Sequence, residues 1–356
     1  MRVLGFESSC DETACSVVAY DGGKLTVLSN IVASQIETHR VFGGVVPEIA
    51  GRAHIEAISR ITYEALETAG VTLTDIDCIA VTSHPGLIGA LLVAVNFAKS
   101  LATANNIPLV EVDHMKSHIA AAYLTPTPPE PPFLAMAVSG GHTSIYEVKD
   151  YTDYHLIGAT RDDAIGEAFD KIGRIIGIPY PAGAGFDRLA REGFQKATGL
   201  ADHFWEAYRA SSAYHDPAMK LPSPALTGDN LDFSFSGLKT AAINLLHKFE
   251  QTGTPFDPAL FAARYTYEAV EAVAKKLSLA FDAHPYKTLV VSGGVAANSH
   301  LRERLAHLTS KRGITLHLPP LSLCGDNGAM VAAQGAYEYL AGHLATSSLN
   351  ARATDE

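Results

Sequence analysis

The chain has 356 residues, of which 47% are hydrophobic and 18% are charged, so its composition is globular and excludes an intrinsically disordered protein. This length predicts two lobes or domains rather than one small core. The formal net charge of −11 argues against binding of nucleic acid through the overall electric field, so an RNA substrate would have to be held by a local basic patch or by partner subunits.

The first third of the chain predicts a β-meander followed by alternating helices and strands. Asp21-Gly22 is a hairpin-turn signal, and Pro47 and Gly70 mark the start and the stop of a helix. Asp113 is suited to cap the helix that follows it. We predict strands at 3–7, 15–20, 24–31, 77–82 and 107–112, and helices at 47–69, 87–104 and 113–123.

The sequence predicts neither a membrane span nor a secretion signal. The longest apolar run, 87–98, contains Asn96 and falls short of the roughly 18 residues that a transmembrane helix needs. Glu7 interrupts the apolar N-terminus at once, unlike a signal peptide. We therefore expect a cytoplasmic protein without membrane contact, whose four scattered cysteines are free thiols.

A proline-rich segment at 125–132 is the predicted boundary between two lobes. After it we predict strands at 133–139, 143–148, 154–159, 287–292 and 314–318, helices across most of 163–283 and at 298–309 and 326–340, and a frayed tail. Since both halves begin with a meander, we expect α/β architecture with a ligand cleft between the lobes. The assigned domains are residues 1–128 and 129–325, with helix 326–340 packing back onto the first lobe.

Two histidines and one aspartate form a candidate metal site. His114 and His118 are four residues apart, so on a helix both imidazoles can reach one ion, and Asp326 would complete a His-His-carboxylate set. A histidine pair without a metal, and Asp326 as a helix N-cap, are the alternatives. Met115 stands where a zinc protease has the Glu of His-Glu-x-x-His, which argues against that class.

Glycine-rich loops follow two of the predicted strands. They are Gly140-Gly141-His142 and Ser292-Gly293-Gly294. Glycines after a strand let backbone amides approach a phosphate closely, and tight turns without a ligand are the alternative. Asn298 is placed to cap the next helix or to hydrogen-bond a base or ribose.

Several segments, in order, carry a family resemblance: Leu4-Gly5-Phe6-Glu7-Ser8-Ser9-Cys10-Asp11-Glu12-Thr13, Val46-Pro47-Glu48-Ile49-Ala50, His114-x-x-x-His118, Val138-Ser139-Gly140-Gly141-His142, Gly166-Glu167-Ala168-Phe169-Asp170-Lys171, Phe233–Thr240, Ser292–Asn298 and Cys324-Gly325-Asp326-Asn327. Together they resemble the bacterial-type tRNA N6-adenosine threonylcarbamoyltransferase family. The resemblance extends from residue 1 to about 340, in the family's order and spacing.

This resemblance implies an α/β fold of two actin-like (RNase H-like) lobes, as in sugar kinases and the large heat-shock ATPases, with a nucleotide-binding cleft between them. It implies an acyltransferase that moves threonylcarbamoyl from L-threonylcarbamoyladenylate to N6 of the adenosine next to the anticodon. The acceptors would be tRNAs that read codons beginning with A, and AMP would be released.

The resemblance also implies roles for individual residues. One divalent metal per subunit, with Fe2+ expected and Zn2+ as the alternative, would be held by His114, His118 and Asp326. The adenylate would be held by Val138, Ser139, Gly140, Gly141, His142, Asp170, Gly183, Asp187 and Asn298. Asp11 and Glu12 are assigned to catalysis. The implied partners are tRNA, a paralogous non-catalytic subunit, a small ATPase and the synthase that makes the adenylate.

Four positions depart from the family pattern: Gly51, His84, Ser117 and Ala182. None removes a candidate ligand, although His84 alters its own loop. Three other functions stay open from the sequence: a carbamoyltransferase for a small molecule or a protein, a metalloprotease, and a non-catalytic scaffold. The missing Glu argues against the protease, and the retained histidines argue against the scaffold.

Overall fold

The computed structural model describes residues 1–224 and 230–354, and its strands form two five-stranded sheets. The first sheet contains β1 (Arg2–Glu7), β2 (Glu12–Asp21), β3 (Lys24–Ser34), β4 (Cys78–His84) and β5 (Leu109–Asp113). The second sheet contains β6 (Phe133–Val138), β7 (Thr143–Asp150), β8 (Asp153–Ala159), β9 (Thr288–Ser292) and β10 (Thr315–His317).

The two sheets have the same strand order. In the first sheet it is β3-β2-β1-β4-β5, with β1 antiparallel to β2 and parallel to β4. In the second sheet it is β8-β7-β6-β9-β10, with β6 parallel to β9. Each sheet thus consists of a meander extended by two later strands, which confirms the repeated α/β architecture that the sequence predicts.

Helices connect these strands and divide between two compact units. In chain order they are α1 (Ile36–Arg40), α2 (Pro47–Ala69), α3 (Ile88–Asn105), α4 (His114–Ala120), α5 (Ile165–Ile175), α6 (Gly183–Thr198), α7 (Trp205–Ala210), α8 (Ser212–His215), α9 (Ser236–Thr252), α10 (Pro258–Ala283), α11 (Ser299–Arg312) and α12 (Gly328–Leu340). The first unit contains Met1–Phe133, Val148–His155 and the chain from His317 onward, and the second contains Leu134–Glu147 and Leu156–Leu316. The division into domains at 1–128 and 129–325 is kept as a proposal.

Helices α2 and α3 pack on the first sheet. Helix α2 starts at Pro47 and ends where Gly70 adopts a φ of 66°, as the proline and glycine signals predict. By length and composition α3 could cross a membrane, but Leu91, Val95 and Ala98 are buried in the core of the first unit. One face of α3, about a third of the helix, is therefore part of this core.

Helix α12 lies close against the first sheet. A side chain on Gly5 of β1 would collide with the backbone nitrogen of Ala332 in α12, and one on Gly335 would collide with Ala80 of β4. These glycines allow the close approach of the helix to the strands. The packing of α12 fixes the position of the segment that precedes it, which contains Asp326.

The segment after α12 is packed, so the prediction of a frayed tail is wrong. Leu349 and Ala351 are buried and join the core cluster around α3. The Lys99 ammonium donates to the Leu349 carbonyl oxygen at 2.8 Å, and the Arg352 amide donates to the Ser83 carbonyl oxygen at 2.9 Å. Burial of isolated apolar residues holds this segment, although it has no helical or strand periodicity to predict it from.

Candidate active site

The two histidines of the candidate metal site lie on α4, directly after β5. The Asp113 carboxylate accepts hydrogen bonds from the amides of Met115 and Lys116, which is the N-cap that the sequence predicts. Helix α4 therefore begins at His114 and places His118 one turn later on the same face. The two imidazole centroids are 4.6 Å apart.

Asp326, which lies just before α12 in the C-terminal segment of the first unit, comes close to both histidines. Asn327, not Asp326, caps α12, because its side chain accepts the Met330 amide. The alternative that Asp326 serves only as an N-cap is therefore wrong. Its Oδ1 lies 3.7 Å from His114 Nε2 and 3.1 Å from His118 Nε2.

The geometry of these three side chains fits a metal ion. One ligand atom from each lies within 4.8 Å of the other two, and both histidines are buried. Ligands bound at about 2.0–2.2 Å in a compact site stand roughly 3 to 3.5 Å apart, close to the observed separations. Among the described residues, neither ring nitrogen of His118 makes an aligned hydrogen bond, although Nε2 lies 3.1 Å from Asp326 Oδ1. A shared cation would satisfy this orphaned nitrogen.

Glu7 is a site residue for which the sequence analysis assigned no role. Its side chain is fully buried at the end of β1, and its Oε2 lies 3.2 Å from His114 Nδ1. Thr82 donates to the same oxygen at 2.6 Å, and the Ser9 amide donates to Oε1 at 2.6 Å. A carboxylate on Nδ1 orients the ring and leaves Nε2 for a metal. The signal was present, since Glu7 is an acid that directly follows four apolar residues of the same strand.

The charges around His114 change its protonation. Burial alone would lower the pKa of His114, but the negative charges of Glu7 and Asp326 outweigh burial and raise that pKa to about 9. Burial would raise the pKa of Glu7, but the charge of His114 outweighs it and holds that pKa below its usual value. Without a cation, the site therefore binds a proton at neutral pH.

Asp11 and Glu12, the predicted catalytic acids, lie at the start of β2 in the same unit. Asp11 is buried, and its backbone carbonyl accepts the Gln35 amide at 2.9 Å. Burial and the charges of Asp326 and Asp11 raise the pKa of Glu12 to about 9. Glu12 therefore lies within electrostatic range of Asp326, one of the candidate metal ligands.

In the second unit, the two glycine-rich loops lie side by side. Strands β6 and β9 are parallel neighbours, with Ala137 opposite Ser292, so their following loops leave the sheet at the same edge. Gly293 has a φ of 94°, and a side chain there would collide with the Val138 carbonyl. Side chains added to Gly140 and Gly141 would meet no described atom within 4 Å, so this loop has room beside it for a ligand.

The remaining candidate substrate residues are also in the second unit, where they hold helix starts. Asp170 accepts the Ala182 amide at 2.8 Å beside Gly183, and Asp187 accepts the Ser299 amide at 2.9 Å. Asn298 caps α11 by accepting the Leu301 amide at 2.9 Å, as the sequence allowed. His142 donates its amide to Ser139 Oγ at 3.1 Å and closes the loop after β6. Contact of these residues with substrate stays a prediction.

Two departures from the family pattern have structural partners. The buried Ala182 methyl lies where a side chain on Gly173 would collide with it, so Gly173 makes room for the extra carbon. The Arg352 guanidinium donates to His84 Nδ1 at 2.9 Å, and Ser83 Oγ lies 2.6 Å from the same nitrogen. His84 thus joins its loop to the packed tail.

Comparisons with solved structures show the fold. Component A of (R)-2-hydroxyglutaryl-CoA dehydratase from Acidaminococcus fermentans is 15% identical, with a TM-score of 0.50 over 96% of this chain and 99% of that one. Full-length HypF in its phosphate- and nucleotide-bound form is 16% identical, with a TM-score of 0.56 over 95% of this chain and 46% of that one. This likeness confirms the predicted α/β fold with two lobes of the actin-like type.

Comparisons of sequence show the family. The family model for tRNA N6-adenosine threonylcarbamoyltransferase (TsaD) matches residues 26–333. A curated tRNA N6-adenosine threonylcarbamoyltransferase of Bacillus cereus is 46% identical over 98% of this chain and 94% of its own, and one of Clostridium perfringens is 44% identical over 98% and 96%. The chain therefore belongs to the tRNA N6-adenosine threonylcarbamoyltransferase family.

Proposed function

We propose that this chain transfers the threonylcarbamoyl group of L-threonylcarbamoyladenylate to N6 of the adenosine next to the anticodon, in tRNAs that read codons beginning with A, with release of AMP. The observation that carries the proposal is the buried convergence of His114, His118 and Asp326 in a member of this family. In this proposal the chain works in a complex with a paralogous non-catalytic subunit and a small ATPase. The complex is assigned to the cytoplasm.

We further propose that His114, His118 and Asp326 hold one divalent metal, Fe2+ rather than Zn2+. Imidazole and carboxylate ligands suit both ions, and three protein ligands leave positions open for substrate. When bound, the metal supplies Lewis-acid polarisation of a donor oxygen. Glu7 and Ser9 contribute by orienting His114, since both contact its Nδ1 at 3.2 Å.

The protein groups have three tasks in the transfer. The exocyclic N6 amine is a weak nucleophile and must lose a proton as it attacks the carbamoyl carbon. Within the Asp11–Glu12 pair we assign the acceptance of this proton to Asp11, because the raised pKa of Glu12 keeps that carboxyl protonated at neutral pH. The backbone amides of Gly140 and Gly141, in the loop with room beside it, would stabilise negative charge on the adenylate. Holding two large substrates in register accounts for much of the remaining rate increase.

The alternative functions have weaker support. Met115 is buried and has no basic group, so the site lacks the general base of a His-Glu-x-x-His protease. A carbamoyl acceptor other than tRNA is favoured only by the net charge of −11. The product of the reaction distinguishes these functions.

The test measures the modified nucleoside directly. Unmodified tRNA is incubated with the adenylate, this chain and the partner proteins, then digested and examined by nucleoside mass spectrometry. We expect threonylcarbamoyladenosine with the wild type and with His247→Ala, an exposed histidine of α9, and a loss of at least about 100-fold with His114→Ala. Absence of product with the folded wild type, or full activity of His114→Ala, would overturn the proposal.

A further inference from the structure

Helices α7, α10 and α11 surround a groove on the second unit, with a volume of about 210 Å3. Its aromatic wall is formed by Trp205 and Tyr267, whose rings stack at a centroid distance of 4.8 Å. Arg209, Arg304 and Lys311 provide three cations around this wall. None of these residues belongs to the candidate substrate or metal sites.

We propose that this groove binds the sugar-phosphate backbone of the tRNA substrate, away from the reacting adenosine. The proposal rests on the proposed function, because it takes tRNA as the acceptor. An acidic chain needs a local basic patch to hold RNA, since its overall field repels phosphates. The groove is such a patch.

The sequence of α11 provides most of the positive charge. Over its 14 residues it carries Arg302, Arg304, Lys311 and Arg312 against the single acid Glu303, a local balance of 4 − 1 = +3. The whole chain has 27 Lys and Arg against 38 Asp and Glu. Helix α11 therefore has the opposite sign to the chain as a whole, and Arg304 and Lys311 point into the groove from it.

The groove keeps an excess of one positive charge, because three cations, Arg209, Arg304 and Lys311, face two acids, Glu206 and Glu271. Glu206 pairs with Lys311 at 3.2 Å, but its side chain is 79% exposed, and solvent screens such surface pairs strongly. A phosphate can therefore replace Glu206 beside Lys311. Arg209 is exposed and makes no ion pair or hydrogen bond with any residue in the described ranges, so its guanidinium is available to a phosphate.

The other acid organises the groove. Glu271 accepts hydrogen bonds from Trp205 Nε1 and from Arg304 Nε, and this holds the aromatic wall beside the guanidinium. A preformed wall beside cations suits a ribose or an unstacked base next to its phosphate. Phosphate contacts of this kind fix the register of RNA on the protein without reading its sequence.

The groove also has a fixed relation to the proposed adenylate loops. Helix α11 begins at Ser299, whose amide and hydroxyl are held by Asp187. Lys311 is twelve residues further along α11, which corresponds to about 18 Å at 1.5 Å per residue. A rigid helix thus connects residues assigned to the donor with residues that we assign to the RNA backbone.

The test reverses the charge of one residue at a time, and every variant has the same net charge. Lys311→Glu and Arg209→Glu change the net charge from −11 to −13, as does the control Lys248→Glu on the exposed face of α9. Fluorescence anisotropy measures tRNA binding against salt concentration, and the transfer assay gives KM for tRNA and kcat. We expect Kd and KM to rise about 5- to 10-fold in each groove variant, with a salt slope smaller by about one and kcat within about twofold. Lys248→Glu should match the wild type within about twofold.

The proposal that the groove binds tRNA would be overturned if Lys248→Glu raised Kd and KM as much as the groove variants do. It would also be overturned if none of the three variants changed them. If a Glu variant melts early, Lys311→Gln and Arg209→Gln take its place with the same expected change in salt slope, and Lys311→Arg should restore binding. A wild type that binds tRNA in the groove but makes no product would contradict the proposed function and leave the groove standing. If the wild type makes product and the groove variants bind tRNA and react as the wild type does, the proposed function stands and the assignment of the groove is contradicted.

Discussion

Replacing Glu7 with Gln tests how the charge of this buried acid affects the proposed metal site. Glu7 is buried against His114 Nδ1, and its charge, together with that of Asp326, raises the pKa of His114 to about 9. Glutamine keeps the size and one oxygen acceptor but removes the charge. The pKa of His114 should then fall toward its usual value, because burial continues to lower it and only the charges of Asp326 and Asp113 remain to raise it.

The size of the effect follows from proton competition. A metal can bind His114 only after the ring loses its proton, which at a pH of about 7.5 costs about 1.36 × (9 − 7.5), or about 2 kcal/mol, equal to roughly 30-fold in Kd. Since the folded pKa is raised, the proton stabilises the metal-free protein below pH 6.5, and this stabilisation is lost as the pH rises through about 9. Metal affinity should change in the opposite direction and rise about tenfold per pH unit up to 9.

Calorimetric titration of metal into the metal-free protein measures the metal affinity and the number of protons released on binding. Titrations in buffers with different ionisation enthalpies count the protons released, which should be about one per metal for the wild type at pH 7.5 and clearly fewer for Glu7→Gln. The pH slope of the affinity should fall to less than about threefold per unit in the variant. A wild-type affinity that does not change between pH 7 and 9, or equal proton release from both proteins, would refute the reasoning.

Two further predictions concern parts of the fold that support the sites. Leu349→Ala should lower the free energy of unfolding by about 2 to 4 kcal/mol in urea denaturation, because the side chain is buried in the core around α3; a change below about 0.5 kcal/mol would mean that the tail is not packed. Gly293→Ala should reduce adenylate binding at least tenfold in a direct binding assay and cost about 1 to 3 kcal/mol of stability, because it combines a positive φ with a collision against the Val138 carbonyl. Unchanged binding by Gly293→Ala would separate this loop from the donor site.

Much of the fold could be predicted because its signals are local. Helix α2 is bounded by Pro47 and Gly70, whose backbone preferences act at the residues themselves. The two meanders are visible as short apolar runs separated by turns, and their repetition predicted that both halves share one α/β architecture, although not the order of the strands. The packed tail could not be predicted, because Leu349 and Ala351 become buried only against a helix some 250 residues earlier.

In the candidate site, too, local features could be predicted and features that depend on distant contacts could not. The spacing of His114 and His118 predicted a shared helix face, but whether Asp326 caps a helix or faces the histidines depends on where α12 begins. That boundary is set one residue later, by Asn327. The role of Glu7 depends on two strand pairings: β1 with β4 brings Thr82 to the buried acid, and β4 with β5 brings His114. No local pattern contains that information.

The central claim is that His114, His118 and Asp326 hold a metal on which threonylcarbamoyl transfer to tRNA depends. The most direct measurement strips the protein of metal, adds Fe2+ back in steps, and follows threonylcarbamoyladenosine in tRNA by mass spectrometry with the partner proteins present. We predict that the stripped protein is inactive, that activity returns with a break at one metal per chain, and that Asp326→Asn shows no such break. Full activity of the stripped protein, or an unchanged titration of Asp326→Asn, would contradict the account.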